Sequence, residues 1–364
     1  DTAVTLGSGA DTVSTAVTLA TSTTLAVNAG DGTDTLIVTD DADLNAADEG
    51  ARYTNFETLR YVEGAGAANL NLNDISGITA LEIGTNTSAS FTNVTATQAA
   101  NVTVIGSQTT DLTFSLKNTT ATTDSITLDL DSGVATTEVD IAGLSVIGVE
   151  TVNIIATTGT NTTDDTAIAF ADNASDSVSA VNITGGADTT LTVSANELDV
   201  VAVAIDASGM TGTADFTLAT GVLISGSSVT GTLNGDTIAI STTLGTTYDS
   251  GAGNDAFTGA IADLVATGAN DNKINGGAGT DSITLSDTTG VTLTDNHFTW
   301  MSNMETLALT ATGAGDISIT AGSAFNSAFS DGLTLTTDAI ANAQGMTFSA
   351  GLATMDRSEE RRVG

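Results

Sequence analysis

Apolar and polar residues alternate with a period of two in short runs along nearly the whole chain. Examples are Leu70-Asn71-Leu72-Asn73, Leu112-Thr113-Phe114-Ser115-Leu116, Ile126-Thr127-Leu128-Asp129-Leu130, Leu191-Thr192-Val193 and Leu333-Thr334-Leu335. Neighbouring strand residues point to opposite sides of a sheet, so each run offers one face to a core and one to solvent. Clusters of Gly, Asn, Asp and Ser separate the runs, which makes them short strands joined by turns. Only Ala42 to Arg52 and Thr294 to Ser302 read as short helices.

Those two helical stretches occupy equivalent places in a long internal repeat. Gly30, Gly32, Asp34 and Asp40 correspond to Gly277, Gly279, Asp281 and Asp287, and Asn55-Phe56-Glu57-Thr58-Leu59 corresponds to Asn303-Met304-Glu305-Thr306-Leu307. A decayed middle copy carries Asp124-Ser125-Ile126-Thr127-Leu128 and Val149-Glu150-Thr151-Val152. The repetition predicts a first module over 1–115, a degenerate middle module over 116–245 and a third over 246–356. Residues 357–364 change composition abruptly and read as an adapter-derived artefact, and the chain reads as a fragment of a longer one.

Composition narrows the fold class. Only 4% of residues are aromatic, whereas Thr, Val, Ile and Ala are abundant, a mixture that suits strands. Proline and cysteine are absent while glycine occurs 38 times, so the turns must use left-handed Gly, Asn and Asp and no disulfide is available. The expected fold is all-β: an elongated right-handed parallel β-solenoid, with tandem β-sandwich domains as the alternative. Quick succession of short strands, Gly and Asn corners and Thr-rich ladders favour the solenoid.

A formal net charge of −37 excludes nucleic acid as a natural partner. The longest apolar run, Val200 to Ile205, is far short of a membrane span, so membrane insertion is not expected. The single imidazole, His297, and the cations Arg52, Arg60, Lys117 and Lys273 are widely separated. With no acid, base and charge-stabilising groups brought together by any motif, no enzymatic activity is expected. Glu57, Glu150 and Glu305 recur with the architecture, which points to a structural role such as a hydrogen bond to a neighbouring coil.

Four segments fit the nonapeptide Gly-Gly-x-Gly-x-Asp-x-apolar-x. Gly276-Gly277-Ala278-Gly279-Thr280-Asp281-Ser282-Ile283-Thr284 matches throughout. The segments beginning at Leu6, Ala29 and Ser250 depart only at the first glycine and carry Asp11, Asp34 and Asp255. Glycines permit a tight turn that aims carbonyl oxygens inward, and the aspartate adds the anionic oxygen that Ca²⁺ prefers. The candidate calcium ligands are Asp11, Asp31, Asp34, Asp255 and Asp281 with turn residues Gly30, Gly32, Gly251, Gly253, Gly277 and Gly279. Each nonapeptide supplies half a shell, so a neighbouring coil must supply the rest. Candidates for that neighbour include Gly185-Gly186-Ala187-Asp188 and Asn234-Gly235-Asp236-Thr237.

Isolated nonapeptides alternating with Thr-rich strands and Glu-Thr-Leu or Glu-Thr-Val motifs resemble the bacterial S-layer and large RTX-type surface proteins. The chain departs from tandem RTX arrays in that its nonapeptides do not follow one another directly. The resemblance implies a calcium-stabilised solenoid exported by a type I system. It further implies a structural, S-layer-like role at the cell surface with self-association or further domains of the same chain. An RTX-type adhesin, or a carbohydrate- or ice-binding module, is the alternative.

Overall fold

The computed structural model describes residues 4–15, 26–39, 50–62, 68–84, 88–157, 166–171, 177–194, 197–264, 271–287, 291–311, 316–337 and 346–350. Among them the chain is a parallel β-solenoid. A thirteen-stranded sheet runs from Thr12–Ser14 to Met301–Ser302, and a twelve-stranded sheet runs from Ala68–Asn71 to Thr334–Thr337. The chain passes from one sheet to the other and back, so strands that pair are one coil apart and never consecutive. Two three-stranded sheets complete the set. Every pairing is parallel, which removes the β-sandwich alternative.

Period-two alternation in the sequence becomes columns in the solenoid. Leu36, Leu59, Leu81, Val102, Leu128 and Ile154 lie opposite one another on six successive strands of the first sheet, and all are buried. In the second sheet Leu191, Leu218, Ile238, Phe257, Ile283 and Leu307 form the matching column. Each fully buried side chain contributes about 1.5–3 kcal/mol, and the two inner faces share one continuous core. Phe91 and Phe114 are register partners whose rings stack at 5.4 Å. Both sheets run without a break through the module boundaries at 115 and 245, so the modules share one pair of sheets.

The internal repeat extends to backbone conformation. Asn55 and Asn303 both take left-handed φ, 60° and 54°, a region Asn tolerates better than most residues. Each donates its Nδ2–H to the Oδ1 of an equivalent residue one coil earlier, Asn28 or Asn275, at 2.7 Å in both copies. The two expected helices reduce to 3-10 turns at Gly50–Arg52 and Asp295–Phe298, with residues 42–49 outside the described ones. Two short α-helices were not expected, Ala96–Ala99 and Ser323–Ala328. A capping box between Thr95 and Gln98 starts the first, a signal legible in the sequence. The second receives its cap from another coil, because Asp295 accepts hydrogen bonds from the N–H groups of Gly322, Ala324 and Phe325. No sequence-local rule reveals that contact. No helix among the described residues is long and apolar enough to cross a membrane, and residues 357–364 lie outside the described ones.

The columns predict position-specific costs. Leu128→Ala opens a cavity between Val102 and Ile154 and should destabilise by about 2–5 kcal/mol, whereas Thr127→Ala on the outward face should stay within about 0.5 kcal/mol. Chemical denaturation followed by circular dichroism measures both.

Candidate functional site

The four nonapeptides fall into two pairs, and the members of each pair are neighbours in space because their separation equals one coil. The turn beginning at Leu6 lies beneath the one beginning at Ala29, with Asp31 N–H donating to the Gly7 carbonyl at 3.2 Å. The turn beginning at Ser250 lies beneath the one beginning at Gly276. There Gly253 N–H donates to the Ala278 carbonyl at 2.8 Å and Ala278 N–H to the Gly251 carbonyl at 3.0 Å. Glycine is required at these places for two reasons. Gly30, Gly251, Gly253 and Gly277 have φ of 102°, 96°, 125° and 87°, in the region that disfavours any Cβ. A Cβ on Gly30, Gly32, Gly277 or Gly279 would also collide with the carbonyl oxygen of Gly7, Gly9, Gly251 or Gly253 respectively. The turns therefore pack backbone against backbone, with carbonyl oxygens crowded between them.

The aspartates that end these turns form ladders at two corners of the solenoid. At the first, Asp11 N–H donates to Asp34 Oδ1 at 2.7 Å, and Asp34 N–H to Glu57 Oε2 at 2.8 Å. At the second, Asp236 N–H donates to Asp255 Oδ1 at 2.7 Å, Asp255 N–H to Asp281 Oδ1 at 2.8 Å, and Asp281 N–H to Glu305 Oε2 at 2.7 Å. The middle copy keeps one rung, Asp124 N–H to Glu150 Oε2 at 2.8 Å. Glu57, Glu150 and Glu305 thus hydrogen-bond to the preceding coil, as their recurrence suggests. Each also sends its own N–H and that of the following Thr to the carbonyl of the aspartate below.

Along the second ladder the coils differ in how they satisfy their carboxylates. Asp236 is complete: Thr232 N–H donates to Oδ2 at 2.6 Å, and Thr232 Oγ1–H and Phe216 N–H donate to Oδ1, both at 2.8 Å. In the next two coils the position of Thr232 is taken by Gly251 and Gly277, and the hydroxyl beside these carboxylates is that of Ser250, at Asp255. There Oδ2 of Asp255 and of Asp281 is buried without a hydrogen-bond partner, and the same holds for Asp11 and Asp34. All four nonapeptide aspartates therefore carry an unsatisfied buried oxygen; Asp124 shares the feature outside a nonapeptide. Leaving such an atom unpaired costs about 1–3 kcal/mol, more for a charged group.

The electrostatics agree with the geometry. Burial pushes Asp281 up to about 6, and the nearby Asp255 and Glu305 charges add to the shift. Burial likewise raises Asp236 to about 6 against the lowering effect of its hydrogen bonds, and burial raises Asp255. Stacked carboxylates held away from water favour a proton or a cation between them. The donors on offer are carboxylate and carbonyl oxygens, a hard set that fits Ca²⁺. Among the described residues no three His, Cys, Asp or Glu side chains converge on one point, so carbonyls must supply most of any coordination shell here.

The other candidate residues are dispersed. Asp31 is exposed on the outside of its turn. Asp236, offered by the sequence only as part of an incomplete copy, is a full member of the second ladder. Asp188 accepts from Asp215 N–H at 2.9 Å on a different coil. Asp40 lies outside the described residues. His297 Nδ1 is 3.0 Å from the backbone N of Thr294, and burial lowers its pKa. Among the described residues the cations are dispersed: Arg60 is with Glu82, Lys117 with Asn73 at 2.7 Å, Lys273 over Trp300, and Arg52, on the same coil as Arg60, over Tyr53. No family model matches the chain, and no curated protein or solved structure shows a significant similarity to it.

The raised pKa values set a sign for pH dependence. In the folded chain Asp236 and Asp281 hold protons up to about pH 6, whereas unfolded aspartates release them near 3.8. Their contribution to stability is present in full below the unfolded value and is lost as pH rises through about 6. In chelator, Asp281→Asn should therefore flatten the fall in melting temperature between pH 4 and pH 6. An unchanged pH profile in that variant would contradict the assignment.

Proposed function

We propose that this chain is a calcium-stabilised structural segment of an extracellular surface layer, without enzymatic activity. The observation that carries the reading is the pairing of glycine turns one coil apart, whose aspartates each keep a buried carboxylate oxygen without a hydrogen-bond partner. Asp34 with Asp11, and Asp281 with Asp255, would hold the ion together with carbonyl oxygens of Gly7, Gly9, Gly251 and Gly253. Where no ion is needed, the fold supplies a hydroxyl instead, as Thr232 does for Asp236.

Calcium would act on folding. A formal charge of −37 opposes compaction, and the ladders concentrate part of that charge inside the protein. Neutralising them lets coils stack, so binding free energy becomes folding free energy. Extracellular calcium modules bind with dissociation constants of about 10⁻⁴–10⁻³ M, well matched to a chain that remains loose in a calcium-poor cytosol and stiffens outside. Export by a type I system and a place at the cell surface follow from the S-layer and RTX resemblance. The dispersal of Arg60, Lys117 and Lys273 along the chain and the lone His297 support a non-catalytic role.

Circular dichroism and thermal melting of the full chain, first in EGTA and then through a calcium titration with magnesium as control, test the reading. Millimolar calcium should raise both strand signal and melting temperature, and magnesium should not. Asp34→Asn and Asp281→Asn should each weaken the calcium response while Asp31→Asn leaves it close to wild type. Equal stability in EGTA and calcium would remove the metal from the account and leave the turns purely structural.

A further inference from the structure

One face of the solenoid carries no charge at its described outward strand positions. On the twelve-stranded sheet, over the eight strands from Thr166–Phe170 to Thr334–Thr337, the described outward positions are Thr, Ser or Ala. Register places Thr190, Thr217, Thr237, Ala256, Ser282 and Thr306 in one column. A second column beside it carries Thr258, Thr284 and Ala308. All of these side chains are partly or fully exposed. The outer face of the other sheet is different over the same coils, since Asp206, Asp249 and Lys273 lie on its strands. A chain with 44 acidic residues thus keeps one long flat surface neutral.

We propose that this face docks a second copy of the chain, column against column. Three observations select that occupant. The face repeats once per strand, about every 4.8 Å, and only a partner with the same repeat stays in step with it along its whole length. A second copy has that period by construction, and a two-fold arrangement makes the surface complementary to itself. Repulsion between two highly acidic chains is also reduced over this face, because none of its described outward strand positions is charged; Asp188 and Asp215, two residues before Thr190 and Thr217, border it within the ~8 Å over which charges act at physiological salt. Thr, Ser and Ala finally lose little side-chain freedom when covered.

Area sets the strength. Eight strands span roughly 34 Å, and two to three outward residues per strand give on the order of 400–500 Å² per partner, below the ~800 Å² of a standard stable interface. A single pair is therefore reversible, and the contact becomes effective only when repeated in an array, where linked sites raise the apparent strength. Such pairing presupposes the surface-scaffold role proposed above; two of the calcium turns lie at the corner that leads into the face, where Asp255 and Asp281 immediately precede Ala256 and Ser282.

Sedimentation velocity of the full chain in calcium, over a series of concentrations, tests this. The wild type should show a mass that rises with concentration. Thr258→Glu with Thr284→Glu, which puts like charges at the centre of the face, should hold the chain at monomer mass throughout. Thr230→Glu, on the outer face of the other sheet, should associate as the wild type does. Melting curves of all three check that each is folded. A wild type that stays monomeric, or a double variant that associates unchanged, overturns the proposal; so does retention of monomer on ice or on an insoluble polysaccharide with loss of it in the double variant. If calcium leaves the melting temperature unmoved while the association still depends on the face, the calcium reading fails and the docking stands. A calcium response with no association overturns the docking and leaves the calcium reading in place.

Discussion

The hydrogen bond from a backbone N–H at the start of one strand to a carboxylate in the next coil is the constraint on which the stacking depends. Asp34, Asp255 and Asp281 each sit in such a link twice, as donor through the backbone and as acceptor through the side chain. Their carbonyls accept in addition from the coil above. Three connections at one residue fix the register of consecutive coils at the point where the chain leaves a turn and enters a sheet. The apolar columns then interdigitate without further choice, since a one-residue slip would turn every core side chain outward.

That arrangement concentrates negative charge where water cannot reach it. Two solutions occur side by side on the same ladder. At Asp236 a threonine closes the carboxylate with its own N–H and hydroxyl. At Asp255 and Asp281 glycine stands in its place, the backbones come into contact and one oxygen is left over. The first satisfies both carboxylate oxygens within the chain, and the second leaves one of them without a hydrogen-bond partner.

Much of this was legible in the sequence, and the reasons are specific. Alternation in runs such as Ile126 to Leu130 gives strands directly, and the solenoid follows from the quick succession of short strands, Gly and Asn corners and Thr-rich ladders. The recurrence of Glu57, Glu150 and Glu305 pointed correctly to contacts between coils. The spacing of the nonapeptides misled, because separations of 23 and 26 residues between Asp11 and Asp34 and between Asp255 and Asp281 look like dispersal. They are one circuit of the chain, which becomes readable only once two strands are assigned to each circuit. Asp295 as the cap of a helix in another coil is a long-range choice that no local pattern encodes, whereas Thr232 stands only four residues before the Asp236 it closes.

Circuit length itself varies. Successive members of the second ladder are 19, 26 and 24 residues apart, yet the columns on either side of them stay aligned. The surplus residues collect between strands, outside both sheets. A chain built this way resembles a text whose margin is reset on every line: insertions lengthen one line without displacing those below. Loops can therefore diverge in length and chemistry from one coil to the next while the rod that carries them keeps its pitch.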